Sequence, residues 1–160
     1  MQLRLAQLED AEKIAAVINS AFRQAEGFLI EGDRISMEEV RQFLDSGKFL
    51  LAESEDIVLG CVYVEPRVSD ATHERYAYLG LLAVDPNRQR SGVGSMLMEG
   101  AEDYCRSVGC RFMEIKIVNL RNDLPAFYGR RGYVETGTSP FPADVQTLLP
   151  CHFIDMSKPL

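Results

Sequence analysis

Apolar residues recur along the chain at two periods, and the periods alternate. At the start, Leu3 and Leu5 alternate with Gln2, Arg4 and Gln7, the pattern of a short half-buried strand. Behind Asp10, a candidate N-cap, Ala11, Ile14, Val17, Ile18, Ala21 and Phe22 fall at helical spacing. They predict an amphipathic helix with one buried face. A polar stretch over residues 26–36 follows, with Gly27 and Gly32 in it. Ser36 then caps a second helix, with Glu39 at the reach-back position of a capping box. Val40, Phe43 and Leu44 supply its apolar face, and Gly47 ends it.

The period then shortens. Residues 49–52 read as a strand, 54–56 as a turn and 57–64 as a second, β-rich strand, together an antiparallel hairpin. Residues 67–73 read as a loop. Residues 76–84 form a long apolar run suited to the centre of a sheet, stopped by Asp85, Pro86 and Asn87. Gly92 opens a helix whose face carries Val93, Met96, Leu97, Ala101, Tyr104, Cys105 and Val108, and Gly109 closes it. A strand over 112–118 comes next, then a short helix over 123–130 started near Pro125. A strand begins at 132–134, a break falls at 139–142, and a strand over 152–156 completes the order. No repeat or linker interrupts it. One domain over 1–160 is predicted, an α/β fold on a mixed sheet.

Composition narrows the class. The chain has 160 residues, 46% of them hydrophobic and 26% charged, which suits one soluble domain with its own core and argues against disorder. The net charge of -7, with no dense basic run, argues against nucleic acid as the main partner. It also points mildly to a cationic substrate through electrostatic steering. No apolar stretch approaches the roughly 20 residues of a membrane span, so no membrane partner is expected. The first residues lack a signal peptide's layout, and a cytoplasmic location is expected. Cys61, Cys105, Cys110 and Cys151 form no C-x-x-C pair, and His73 and His152 are the only histidines, so free thiols and no metal site are expected.

The chemistry concentrates in residues 84–95. A buried strand ends, Arg88 and Arg90 follow, and Gly92 and Gly94 open an amphipathic helix. The first N–H groups of a helix have no internal partner, and its dipole favours negative charge there, so this is an anion site. A P-loop would need Gly-Lys-Ser/Thr after its glycines, and here Ser95 and Met96 follow. A dinucleotide fingerprint would need a third glycine directly after a strand, and it too is missing. A third reading is the pyrophosphate of coenzyme A, and it rests on a resemblance.

Gln89, Arg90, Ser91, Gly92, Val93 and Gly94 spell Q-x-x-G-x-G, which resembles the Q/R-x-x-G-x-G/A signature of the GNAT N-acetyltransferase superfamily. Ala126, Phe127, Tyr128, Gly129, Arg130, Arg131, Gly132 and Tyr133 resemble that family's second signature. The entry strand and helix around Asp10, and the hairpin with Gly60 on its second strand, are similar to the family in the same order. The resemblance covers the chain to about Val134. It implies a mostly antiparallel central sheet with helices on both faces, its fourth and fifth strands splayed around acetyl-CoA. Leu82, Ala83 and Val84 would then meet the pantetheine, with the Leu82 N–H facing the thioester oxygen. Gln89, Arg90, Ser91, Gly92, Val93, Gly94 and Ser95 would hold the pyrophosphate, and Tyr128 would donate to the departing sulfur. Acetyl transfer to a primary amine of a small molecule or peptide is implied, with a homodimer suggested. The alternative is a non-catalytic acyl-CoA-binding or sensing module, which would have no use for Tyr128.

The chain departs from the pattern in places. Arg121 and Leu124 hold offsets where many members carry Asn and Ala, and residues 78–84 hold no carboxylate where some members have a general base. Glu65, Glu114 and His152 are alternative bases, each also readable as a structural group. Glu31 and Arg34, in the polar stretch after the first helix, are the candidate acceptor contacts.

Overall fold

A computed structural model of the chain describes residues 1–88 and 91–160. Its frame is a seven-stranded sheet: β1 (Gln2–Leu5), β2 (Lys48–Ser54), β3 (Ile57–Val68), β4 (Arg75–Val84), β5 (Phe112–Val118), β6 (Val134–Pro140) and β7 (His152–Pro159), in the spatial order β1-β2-β3-β4-β5-β7-β6. Only β4 and β5 run parallel; the other neighbours are antiparallel. On one face lie α1 (Ala11–Glu26) and α2 (Met37–Ser46), and on the other α3 (Val93–Ser107) and α4 (Leu124–Gly129). The α/β fold on a mixed sheet therefore stands as the sequence pattern predicts, and the helices on both faces stand as the resemblance implies.

The two faces have separate cores, set by strand alternation. Phe49, Leu51, Cys61 and Tyr63 meet Ile14, Ile18 and Val40 of α1 and α2. Leu50, Val62, Val64, Leu79, Met113 and Ile115 meet Leu97, Met98 and Ala101 of α3. Gly60 seats the start of α3 on the sheet, because a Cβ there would stand 3.0 Å from Leu97 Cδ1 and 3.1 Å from Val93 Cγ1. All four cysteines are free, and three are buried.

Several boundaries differ from the sequence reading. β3 continues through Pro66 to Val68, so Arg67 and Val68 are strand and not loop. The last β2 partner of β3 is Lys48 opposite Val64. Beyond it one side of β3 is an edge, where a proline without an N–H is tolerated. β6 runs through the expected break to Pro140 on the outermost edge, and β7 extends to Pro159. Asp10 does occupy the N-cap of α1, but its side chain does not cap it. Its carboxylate instead accepts the Gln7 N–H at 2.7 Å and two hydrogen bonds from Arg4 at 2.8 and 2.9 Å. Those hydrogen bonds from Arg4 hold its pKa below the usual carboxylate range.

Candidate active site

The site is built where two strands part. β5 pairs with β4 only through Ala77, Tyr78 and Leu79, opposite Met113, Glu114 and Ile115. From Gly80 onward no pairing joins the two strands, so the β4 edge facing β5 is open, as the splay of the fourth and fifth strands requires. At the same point β4 carries an extra residue. Cys61 opposes Ala83 while Tyr63 opposes Gly80, so three steps on β4 answer two on β3. The bulge is borne by Leu81, whose φ of 51° lies in the left-handed region that a leucine rarely enters. It resets the alternation: Leu79 and Leu82, three apart, both pack on the α3 side, while Leu81 and Ala83 turn to the α1 side. Backbone strain of this kind costs about 1–3 kcal/mol and tends to persist at functional sites.

The start of α3 lies beside this edge. Its N-cap is Gly92 at φ 86°, with no side-chain cap. The first helical bond runs from the Met96 N–H to the Gly92 carbonyl, which leaves the N–H groups of Val93, Gly94 and Ser95 without helical acceptors. A Cβ on Gly94 would lie 3.8 Å from Val84 Cγ2 and 3.9 Å from the Phe127 ring, ordinary contacts. Packing thus does not demand glycine there, and its absent side chain leaves the backbone open to close approach. The same contacts bring together the end of β4, the start of α3 and α4. Val93 is buried, so its contribution to a ligand is limited to backbone. Ser91 Oγ donates to the Arg88 carbonyl. Gln89 and Arg90, the other expected cofactor contacts, lie outside the described residues.

Arg131 was not among the expected site residues. Its guanidinium lies 4.0 Å from the Phe127 ring centroid, donates to the Phe127 carbonyl at 3.0 Å and to Ser95 Oγ. A cation is thereby fixed at the uncapped end of α3. Its place inside the second glycine-aromatic signature, four residues after Phe127, was the available signal.

Tyr128 stands on α4 against Phe127 and Tyr133, with ring centroids 5.0 and 5.7 Å away. It is 6% exposed. Burial pushes its hydroxyl up to about 12, against the opposing pull of Arg121 and Arg131, so it stays protonated through neutral pH. Behind it, Tyr133 donates to the buried Glu102 carboxylate at 3.0 Å, and Lys158 clamps the other oxygen at 2.7 Å.

On the α1 side the groups are paired. Arg121, in place of the family's Asn, grips Asp123 with two hydrogen bonds of 3.0 and 3.1 Å and reaches Glu26 at the end of α1 at 2.7 Å. It ties the loop before α4 to the α1–α2 segment. Glu65 accepts from the Tyr63 hydroxyl at 2.7 Å and from Arg67 at 2.6 Å. Burial works to raise its pKa, but these two bonds prevail and hold it below the ordinary value, which makes Glu65 a weak base. Glu114 has Lys116 3.8 Å away, and Lys116 also binds Asp155 at 3.1 Å. His152 is exposed at the start of β7. Glu31 is exposed, whereas Arg34 is half-buried with its guanidinium 5.6 Å from the Phe22 ring centroid.

A splayed sheet with a bulge in one lip and a bare helix start beside it defines an acyl-CoA-type transferase fold. The chain belongs to the acetyltransferase (GNAT) family, whose pattern matches residues 11–133. It is similar to an amino-acid acetyltransferase of Ralstonia nicotianae, 26% identical over 146 residues, covering 91% of this chain and 29% of that protein. It thus spans about three-tenths of the length of that relative. It also matches an uncharacterized N-acetyltransferase, YhfO, of Bacillus subtilis, 25% identical over 84% of this chain and 91% of that one. Among solved structures, a ribosomal-protein-alanine N-acetyltransferase from Brucella melitensis superimposes with a TM-score of 0.80 at 22% identity, with 100% of each chain covered. Chaetomium thermophilum Naa20, in complex with a bisubstrate analogue, gives 0.75 at 18% identity, covering 100% of this chain and 87% of that one.

Proposed function

We propose that the chain moves the acetyl group of acetyl-CoA to a primary amine by direct attack of the amine on the thioester. The observation that carries this reading is the uncapped, glycine-opened start of α3 set against the open edge of β4. The pyrophosphate would rest on the free N–H groups of Val93, Gly94 and Ser95, with Arg131 beside them. The pantetheine would lie along Leu82, Ala83 and Val84, and the Leu82 N–H would face the thioester oxygen, a type of contact worth about 10²–10³ in rate. Most of the remaining advantage is positioning.

The acceptor must arrive neutral, although a free Lys-type amine has a pKa of about 10.4. With Glu65 held by Tyr63 and Arg67, proton loss to water is the supported route. Nitrogen bonds to the carbonyl carbon, the carbon–sulfur bond breaks, and the thiolate leaves. Tyr128 is the donor aimed at that sulfur. At about 12 its hydroxyl holds its proton more tightly than a thiol of about 8.5 does. Its role is therefore a hydrogen bond that stabilises the leaving thiolate, with solvent completing the protonation.

The test is release of free CoA thiol with a panel of primary amines. Tyr128→Phe is expected to lower kcat by about 10- to 100-fold, the loss of one hydrogen bond to a developing charge, with acetyl-CoA affinity unchanged. Activity should show no decline from Tyr128 ionisation up to about pH 10, because that group loses its proton only near 12. Wild-type kcat in Tyr128→Phe, measured where chemistry limits the rate, would remove Tyr128 from the reaction. No thiol release with any amine would leave acyl-CoA binding without catalysis.

A further inference from the structure

Five arginines are half-buried among the described residues: Arg4, Arg34, Arg67, Arg121 and Arg131. Three of them meet carboxylates. Arg4 binds Asp10 and Glu53, Arg67 binds Glu65, and Arg121 binds Glu26 and Asp123. Arg34 and Arg131 form no ion pair with a described residue, and each lies against a phenylalanine face. Taking a guanidinium partly out of water is unfavourable unless an anion meets it, so an arginine held this way suits a charged ligand. For Arg131 that ligand is the cofactor, whose anionic groups belong at the start of α3.

Arg34 sits on the other side of the sheet. It lines a recess with Phe22, Arg23, Glu26, Ile30 and Gly32, in which the Glu26 carboxylate is already taken by Arg121 and Arg23 by Asp33. The recess also communicates with the reaction centre. Its Glu26 wall is joined at 2.7 Å to Arg121, which binds Asp123 at the start of α4, the helix that carries Tyr128. The other half-buried cations that the sheet and the α4 loop present on this face are neutralised, Arg67 by Glu65, Lys116 by Asp155 and Arg121 twice, and the exposed Arg23 of the recess meets Asp33. The carboxylates of Glu26, Glu65 and Asp155 are correspondingly occupied. A second ammonium on the acceptor would find them engaged, whereas a carboxylate would find Arg34 ready. This local arrangement outweighs the overall charge of -7, which favours cationic acceptors only at long range.

We infer that the acceptor is an amine that also carries a carboxylate, a free amino acid being the simplest, and that Arg34 receives the carboxylate while the amine points toward the splay. The inference rests on the acetyl-transfer reading above. Arg34 is thereby a specificity residue, and its planar fork suits bidentate carboxylate recognition better than a lysine would.

The experiment compares amino acids of increasing amine-to-carboxylate spacing with their carboxamides, reading CoA thiol release. The expected result is a preference for the acid over its amide of about tenfold to hundredfold in kcat/KM, the range of a charge-assisted contact. It should be expressed mainly in KM. Arg34→Gln should erase that preference and Arg34→Lys should keep part of it, with acetyl-CoA affinity by calorimetry reporting that the fold is intact. Equal use of acid and amide overturns the inference, and so does a preference that survives in Arg34→Gln. Turnover confined to amines without a carboxylate overturns it while leaving acetyl transfer standing. No turnover with any amine brings down the transfer reading itself, and this inference with it.

Discussion

α2 begins at Ser36, whose hydroxyl accepts the Glu39 N–H at 3.1 Å while the Glu39 carboxylate accepts the Ser36 N–H at 3.1 Å. α3 begins at Gly92, which offers no side chain, and no side chain among the described residues caps it. The two helices pack on opposite faces of one sheet and have comparable amphipathic faces. The first start is satisfied from within the chain, while the second has no side-chain cap among the described residues, and its first donors lie where the proposed cofactor would meet them. A helix end that could have been capped as readily as its neighbour, and is not, identifies a binding site better than the presence of glycines does.

Three substitutions sharpen this contrast. The largest effect is expected at Gly94. Gly94→Val leaves ordinary contacts with Val84 and Phe127 but covers the free N–H groups, so acetyl-CoA affinity should fall about tenfold or more, about 1.4 kcal/mol, with little change in melting temperature. Unchanged affinity in a folded variant, by calorimetry, would detach the pyrophosphate from this helix. Ser36→Ala should do the reverse: about 1 kcal/mol of stability lost in denaturant unfolding, with acetyl-CoA affinity intact. Loss of acetyl-CoA binding there would mean that the two starts are not independent. The smallest effect is expected at Arg131. Arg131→Gln removes one cation from the helix end and should weaken acetyl-CoA binding by about 0.7 kcal/mol at low ionic strength, the scale of a charge at a helix terminus, with the loss shrinking as salt rises. A salt-independent effect would point to lost packing on Phe127 instead.

How far the sequence carries depends on the range of the interaction. The capping box at Ser36 and Glu39 is local and is present as read. The glycine-opened helix after the β4 strand is local as well, and it too is where the pattern put it. Asp10 takes the N-cap position its spacing predicts, but its carboxylate is claimed by Arg4 of β1 and not by the helix it precedes, which spacing alone does not show. The bulge at Leu81 has no sequence mark of its own, since a leucine at positive φ is set by the register with β3 and by the helix layers on either side. The bridge from Arg121 to Glu26 spans 95 residues, and only the fold brings its ends together. Arg121 was legible only as a departure from the expected Asn. Arg34 was flagged for its place in a polar loop, but its isolation from every described carboxylate could not be read from the chain.

The position of β7 bears on biosynthesis. His152–Pro159 inserts between β5 and β6, and Lys158 fastens it to Glu102 of α3. Every residue assigned to the candidate site therefore precedes the strand that completes the sheet. At about 5–20 residues per second, a nascent chain holds β5 with an unpaired edge, and then β6 with no neighbour, for an interval on the order of seconds. Unpaired edges are templates for intermolecular pairing. A message interrupted before the codon for His152 should thus yield an aggregating product rather than a shortened folded domain, although the glycine turn, the bulge and Tyr128 would all be encoded in it.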